Sequence, residues 1–505
     1  MILLRGGTLY DGSGREPVVS DVLIMDGVIG DLGRIDPPAG ARIVDCTGLA
    51  VTPGFVDAHS HSDLQVLEDR PEKIRQGVTS EVVGNCGFSA FPAPADPAPL
   101  QDFANGIFRG GRDWGWPDAA SYLAAARKSS VHVASLAGHG SLRIAHAGHR
   151  TRPLDADQLD AVERSLNEAL EQGACGLSTG LMYAPGSTAP REEIERLCRV
   201  VAGHGRLCAT HMRDYSSRLV EAVDEQIGLA RRTGCRVQIS HMQAAGRRHW
   251  ERFAPALERI EKAAADGCDI AFDCYPYAAG STVLTQLLPS WTMDGGIDGL
   301  MRRLADGTQR RSIADETGRG MQLDWDEIQI SSVDSGANRA LIGSTLAAIA
   351  ANRKRDAVDV ALDLLAEERG AVNIIEFCQS ETNLRAAIRH PLSMVISDGF
   401  YVRGRPHPRL AGTFPRLLGE ICRERRWLPL SEALRKITDA PARRFGLDRR
   451  GRLERGWRAD VTVFDPRTVG SPATYEEPEL APVGICHVFR HGRPINVACE
   501  RNENA

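Results

Sequence analysis

Eight short apolar segments, each followed by polar or metal-ligating residues, constrain the fold of this 505-residue chain most strongly. They end at His59/His61, Asn85-Cys86, Ala137-Gly138-His139, Leu177-Ser178-Thr179, Thr210-His211, Ser240-His241, Asp273-Cys274-Tyr275 and Ser397-Asp398. Helical patterns separate most of these segments, as in residues 155–172 and 217–233. Eight strand–helix units predict an α/β fold, the (β/α)8 TIM barrel, whose chemistry lies at the carboxyl ends of the strands.

The rest of the chain predicts two additions to this barrel. Residues 1–52 and 451–505 are rich in short strands and turns, so we expect one small β-sandwich domain built from both termini around a barrel at 53–450. The segment from about 276 to 390 is too long for an ordinary strand–helix connection. It contains strand-like stretches at 328–333 and 372–377 and a helical pattern at 357–367. We therefore predict a lid inserted between strands 7 and 8.

Composition excludes several classes of function. The hydrophobic content of 42% and the charged content of 25% are ordinary for a globular protein, and the net charge of −5 gives no sign of nucleic-acid binding. No stretch is apolar enough for a membrane span or a signal peptide, so a cytoplasmic protein without membrane contact is expected. The 12 cysteines are scattered without a Cys-x-x-Cys pair, which argues against a structural zinc ribbon.

The histidines at the strand ends indicate a metal site. His59 and His61 are two residues apart, so on a strand both side chains point to the same face. His211 and His241 are about one strand–helix unit apart, which brings their side chains to neighbouring strand ends. Cys86 lies in a glycine-rich turn at the second strand end, where it is either a thiolate ligand or a buried structural thiol.

Asp398 completes the predicted site at the end of the eighth strand. A carboxylate there is costly to bury unless it is paired, and the alternative interpretation is a turn-capping aspartate before Gly399. As a functional residue it would take a proton from the attacking water and return it to the leaving group. None of the five lysines lies at a candidate strand end to bridge two metals, which leaves Cys86 as the best remaining ligand. A mixture of thiolate, imidazole and carboxylate favours zinc.

These motifs together resemble the amidohydrolase superfamily, and more closely its D-aminoacylases, the N-acyl-D-amino-acid deacylases. The matching segments lie at 53–61, 84–89, 176–181, 275–282, 397–399, 407–416 and 441–447. The segment Gly-Asn-Cys-Gly-Phe-Ser at 84–89 is quite specific to this branch, because other members of the superfamily lack its cysteine.

The resemblance implies two metal sites and a set of substrate contacts. It implies a tight zinc site formed by Cys86, His211 and His241, and a weaker one formed by His59, His61 and Asp398, with Cys86 a candidate for both. It makes Asp398 the catalytic base. It places Tyr183, Tyr275, Ser281 and Arg409 near the substrate, with Arg409 binding the substrate carboxylate. Gln243 stands where relatives often carry a lysine, so we expect neutral side chains to be preferred to acidic ones.

The predicted function is zinc-dependent hydrolysis of N-acyl-D-amino acids, small molecules that yield a carboxylate and a D-amino acid. One alternative is another amide hydrolase of the superfamily, an N-blocked dipeptidase or a dihydroorotase-like or hydantoinase-like enzyme. The absence of a lysine on the fourth strand counts against it. The second alternative is a non-catalytic scaffold, against which the full ligand set with Asp398 argues. The sequence leaves open whether the active form holds one or two metals, and whether D or L substrates are preferred.

Overall fold

The computed structural model describes residues 1–68, 70–108 and 114–495, which form a mixed α/β fold. Its strands are Ile2–Leu9 (β1), Val18–Met25 (β2), Val28–Gly33 (β3), Arg42–Asp45 (β4), Ala50–Pro53 (β5), Phe55–Asp57 (β6), Val78–Val83 (β7), His132–Ser135 (β8), Ala137–Gly138 (β9), Gly176–Gly180 (β10), Leu207–His211 (β11), Arg236–Ile239 (β12), Ile270–Cys274 (β13), Gly280–Val283 (β14), Ile328–Val333 (β15), Val372–Glu376 (β16), Ser393–Val395 (β17), Val461–Phe464 (β18), Ile485–Arg490 (β19) and Arg493–Ile495 (β20).

The helices fill most of the intervals between these strands. They are Ala98–Phe103 (α1), Ala119–Ala126 (α2), His139–Ala147 (α3), Ala156–Glu171 (α4), Arg191–Gly203 (α5), Leu219–Thr233 (α6), Phe253–Ala265 (α7), Gly296–Ala305 (α8), Gly307–Gly320 (α9), Leu346–Arg353 (α10), Ala357–Glu367 (α11), Glu381–Arg389 (α12), Arg409–Arg416 (α13), Leu430–Ile437 (α14) and Asp439–Arg444 (α15), with a π-helix at Leu417–Glu424. The helices predicted at 155–172, 217–233 and 357–367 are observed as α4, α6 and α11. At the start of α4, Asp155 and Gln158 cap each other reciprocally.

Strands from both ends of the chain form one sheet with the order β20-β19-β18-β5-β1-β2-β3, and β4 pairs with β1. The carboxyl-terminal β18 pairs antiparallel with the amino-terminal β5, which joins the two halves. Asp26 and Gly27 both have positive φ, at 47° and 81°, as the tight turn between β2 and β3 requires. The predicted sandwich is therefore observed as one continuous sheet. The domain boundaries 1–52, 53–450 and 451–505 remain predictions. Residues 496–505 lie outside the described part of the chain.

The middle of the chain forms a barrel-like ring of parallel strands. One row has the order β6-β7-β8, and a second has the order β9-β10-β11-β12-β13-β17. The Leu136 amide, between β8 and β9, donates to the Val83 carbonyl at 2.9 Å. After β17, the Asp398 amide donates to the His59 carbonyl at 2.8 Å, and the His61 amide donates to the Gly399 carbonyl at 3.0 Å. These bonds join the last strand to the first and bring the predicted strand ends to one mouth.

The segment between β13 and β17 contributes the predicted insertion. Its strands form an antiparallel sheet with the order β14-β16-β15, accompanied by α8 to α11. Ser281, Thr282, Leu323 and Glu376 from this segment line the same cavity as the strand-end histidines. The insertion thus lies at the carboxyl-terminal face of the strands. Among the residues described, no helix combines the length and apolar character that a membrane crossing requires.

Candidate metal centre and active site

The predicted metal ligands converge at the carboxyl ends of the parallel strands. They are His59 and His61 after β6, Cys86 after β7, His211 at the end of β11, His241 after β12, and Asp398 after β17. All six are buried, with at most 6% of each residue exposed. Donor atoms collected from five strands and shielded from water form the type of environment in which a metal ion is bound.

Among the described residues, two groups of donor atoms are close enough together to hold a metal ion. In the first group, Cys86 Sγ lies 3.3 Å from His59 Nε2 and 3.5 Å from His241 Nε2. In the second group, Asp398 Oδ1 lies 3.3 Å from His59 Nε2 and 3.2 Å from His61 Nε2. Tetrahedral zinc with ordinary bond lengths separates a sulfur and a nitrogen ligand by about 3.5 Å. The first group therefore has the spacing that zinc requires.

His211, which the resemblance implies as a zinc ligand, lies next to these two donor groups without being a member of either. His59, and not His211, lies within 4.8 Å of both Cys86 and His241 at the donor atoms, and its Nε2 is common to both groups. The His211 ring instead packs 4.6 Å from the His241 ring and 4.8 Å from the Tyr183 ring, measured between centroids. Both of its ring nitrogens are buried without a hydrogen-bond partner in the described structure. An unpaired buried imidazole is costly, so His211 also fits a ligand role.

Electrostatics in the site favour a cation. Burial alone would raise the pKa of the Cys86 thiol, but His59, His211 and His241 hold this pKa well below its usual value. Burial would likewise raise the pKa of Asp398, whereas Arg409 and His59 keep it well below its usual value. Cys86 and Asp398 are therefore anions that raise the pKa of His59 and His61, and a divalent cation can replace the protons that these two imidazoles would bind.

Three of the predicted ligands have left-handed backbone conformations. The φ angles of Cys86, His241 and Asp398 are 53°, 36° and 49°, which is unusual for residues other than glycine. Such strain is typical of functional sites, where the surrounding structure enforces it. A Cβ at Gly84 would lie 2.2 Å from the Leu136 carbonyl oxygen. Gly84, two residues before Cys86, thus permits the close backbone approach that the sequence predicts.

Asp273, at the end of β13, supports the histidines, although its sequence pattern predicts only a strand end. Its Oδ1 lies 3.6 Å from His59 Nδ1 and accepts a 2.6 Å hydrogen bond from the His241 amide. Its Oδ2 accepts a 2.9 Å bond from Gln238 Nε2. A carboxylate behind an imidazole fixes the ring orientation and increases its basicity as a ligand.

The five predicted substrate-binding residues line one cavity of about 160 Å³ together with most of the metal-ligating residues: Tyr183, Gln243, Tyr275, Ser281 and Arg409. Arg409 is buried, and its guanidinium carbon lies 4.6 Å from the centre of the Tyr275 ring. Its Nη1 lies 2.9 Å from Asp398 Oδ2, a contact that the sequence does not reveal. The Tyr275 hydroxyl donates to Gln243 Oε1 at 3.0 Å, and the Ser281 hydroxyl donates to the Ile374 carbonyl at 2.9 Å.

A buried ion-pair network beneath the site was not predicted from the sequence. Lys73 Nζ donates to Asp57 Oδ2 at 2.5 Å and to Ser397 Oγ at 2.7 Å, and it lies 3.7 Å from Glu81 Oε2. Burial lowers the pKa of Lys73, but Asp57 and Glu81 raise it above its ordinary value, so the ammonium stays charged. The network fixes β17, and with it Asp398, against β6.

Replacing Lys73 by methionine is expected to destabilise the fold by about 3–5 kcal/mol, because Asp57 would keep a buried charge without its partner. The free energy of unfolding, measured by denaturant titration, tests this expectation. Lys128→Met is the matched control, since Lys128 is exposed. Equal stability of the two variants would show that the buried network contributes little.

Comparison with known proteins identifies the family of this chain. The family model described as "Amidohydrolase family" matches residues 42–496, and the chain belongs to this family. It is 37% identical to an N-acyl-D-glutamate deacylase of Alcaligenes xylosoxydans xylosoxydans, over 97% of this chain and 92% of that protein. It is 36% identical to a D-aminoacylase of the same organism, over 98% and 94% of the two chains.

A solved structure is similar over nearly the whole chain. The N-acyl-D-glutamate deacylase of Bordetella bronchiseptica, crystallised with zinc and a phosphonate mimic of the tetrahedral intermediate, superposes with a TM-score of 0.85. It is 34% identical in sequence and covers 99% of this chain and 97% of its own. The predicted resemblance and the predicted α/β fold, that of the D-aminoacylases, are thereby confirmed. Within the amidohydrolase family, the chain is similar to the branch of D-amino-acid deacylases.

Proposed function

We propose that this protein is a zinc-dependent deacylase that hydrolyses N-acyl-D-amino acids to a carboxylate and a D-amino acid. The observation that carries the proposal is the arrangement of Asp398, the Cys86 group and Arg409 in one cavity. Its donor atoms suit zinc, and the guanidinium of Arg409 suits a substrate carboxylate. The names of the relatives supply the N-acyl-D-amino acid as substrate class.

The residues of the site have separate roles in metal binding and proton transfer. His59, His61, Cys86, His211, His241 and Asp398 would hold the metal. Zinc, when bound, polarises the amide carbonyl and makes water more acidic. Asp398 accepts a proton as the oxygen of water attacks the carbonyl carbon, and then passes this proton to the amide nitrogen as the carbon–nitrogen bond breaks. Burial of Asp398 keeps bulk water from competing for that proton.

Arg409 has two functions in this proposal. In the described structure it pairs with Asp398, which keeps the carboxylate ionised and ready to accept a proton. The planar guanidinium offers several donors, so it can also bind the α-carboxylate of the substrate. The stacked Tyr275 ring holds the guanidinium in place between these two anions.

Arg409→Gln is expected to lower kcat/KM by about one to two orders of magnitude for an N-acyl amino acid. The loss should be smaller for the corresponding N-acyl amino amide, which has no carboxylate. Removal of the guanidinium also raises the pKa of Asp398, so the acidic limb of the kcat profile should move to higher pH. Equal losses for acid and amide substrates would mean that Arg409 acts only through Asp398.

The proposed reaction is tested with a panel of N-acetyl-D- and N-acetyl-L-amino acids at saturating zinc. We expect hydrolysis of the D-compounds, with little turnover of their L-enantiomers. Since Gln243 offers no positive charge, N-acetyl-D-leucine should have a higher kcat/KM than N-acetyl-D-glutamate. Hydrolysis of cyclic amides in place of the open-chain compounds would refute the proposal.

A further inference from the structure

The substrate cavity contains carboxylates that the proposed reaction does not use. Glu376, the last residue of β16, lines the cavity beside Gln243, Leu323 and Arg409. Asp214 lines it as well, and its Oδ1 accepts hydrogen bonds from the amides of Ser216 and Arg218. Both acids lie outside the two donor groups that suit a metal.

Glu376 has no counterion of its own in the part of the chain that the structure describes. Among the described residues, its side chain forms neither a hydrogen bond nor an ion pair within 4.0 Å. Arg409, which lines the same cavity, is already engaged by Asp398 at 2.9 Å and by the Ser281 carbonyl at 3.2 Å. Burial raises the pKa of Glu376 to about 7, and Glu327 raises it while Arg409 lowers it. A cation that arrives with a ligand would offset the cost of ionising this carboxyl group.

The cavity also lacks the charge that an acidic substrate side chain needs. Arg409 is the only lysine or arginine among the described residues that line it. Under the proposed function, Arg409 binds the α-carboxylate and cannot neutralise a second anion as well. Gln243 is uncharged, and its carbonyl oxygen already accepts the Tyr275 hydroxyl. An acidic side chain would therefore meet Glu376 and Asp214 without a balancing cation.

We infer that the cavity selects N-acyl-D-amino acids whose side chains end in a cation, an ammonium or a guanidinium, and that Glu376 determines this specificity. The inference rests on the proposed function. With the α-carboxylate on Arg409, the side-chain cation would donate to the Glu376 carboxylate in a charge-assisted hydrogen bond. The preference would differ from that of the glutamate-specific relatives, although the chain is similar to them in sequence.

The test compares the hydrolysis of three substrates by the zinc-loaded protein. Nα-acetyl-D-lysine and N-acetyl-D-norleucine have side chains of similar length and differ in the ammonium group, and N-acetyl-D-glutamate supplies the opposite charge. We expect kcat/KM for the lysine compound to exceed that for the norleucine compound by roughly tenfold or more, with the glutamate compound lowest.

Glu376→Gln should reduce the lysine-to-norleucine ratio of kcat/KM toward one. Glu258→Gln removes one negative charge from the exposed face of α7 and should leave the ratio unchanged. The inference would be overturned if the lysine-to-norleucine ratio of kcat/KM is near one in the wild type, or if it stays high in Glu376→Gln. Hydrolysis of the norleucine compound would still support the deacylase function in either case. Failure of all D-substrates would instead refute the deacylase function.

Discussion

Replacing Asp398 by asparagine is expected to lower kcat for N-acyl-D-amino acid hydrolysis by a factor on the order of 10²–10⁴. The amide side chain has nearly the same shape but cannot take the proton from water. In the described structure the carboxylate is buried, paired with Arg409, and 3.2–3.3 Å from the two histidines of its donor group. The measurement is steady-state kcat at saturating substrate, with the zinc content determined on the same sample.

Asp224→Asn is the matched control, because Asp224 is exposed on α6 and should keep wild-type turnover. The Cys86 group does not include Asp398, so Asp398→Asn should retain the zinc held there. Loss of kcat with zinc retained identifies Asp398 as the proton carrier. Near-normal turnover by the asparagine variant would show that another group moves the proton.

Cys86→Ala is expected to lose most of the bound zinc and to lower activity on the order of 100-fold or more. Cys86 Sγ is the only sulfur of the first donor group, and the surrounding histidines hold the thiol pKa well below its usual value. A thiolate is the form that binds zinc. Metal analysis of the purified variant, together with kcat/KM, measures both effects.

Cys274→Ala is the control for cavity formation at a buried cysteine. Cys274 ends β13 with 3% exposure, the same as Cys86, but burial raises its pKa to about 12 and leaves it a neutral thiol. This variant should keep its zinc, although it removes a side chain of equal size. Full zinc retention by Cys86→Ala would contradict the ligand assignment.

Local patterns made the fold and much of the site predictable. The alternation of apolar segments with helical patterns places His59, Cys86, His241 and Asp398 at strand ends, and parallel strands bring such ends to one mouth. The position of each of these residues at a strand end can therefore be predicted without knowing which residues surround it in the folded chain. The insertion was predictable from its length and its strand-like stretches, because a simple connection does not need so many residues.

Features that depend on side-chain placement could not be predicted. Whether His59 or His211 forms a donor group with Cys86 and His241 depends on side-chain positions that a strand-end pattern does not specify. Lys73 meets Ser397 across 324 residues of sequence, and no local signal links them. Glu376 faces the cavity because of its register opposite Gly280 in the inserted sheet. A sequence with one long insertion does not specify that register.

The measurement that tests the account most directly is a zinc titration of the metal-free protein. The protein is treated with a chelator, zinc is returned in fractions of an equivalent, and hydrolysis of N-acetyl-D-norleucine is followed at each step. We expect no turnover after chelation, and a return of activity that rises with zinc up to about one equivalent per chain. Turnover that persists without metal, or full zinc binding without any hydrolysis, would contradict this expectation.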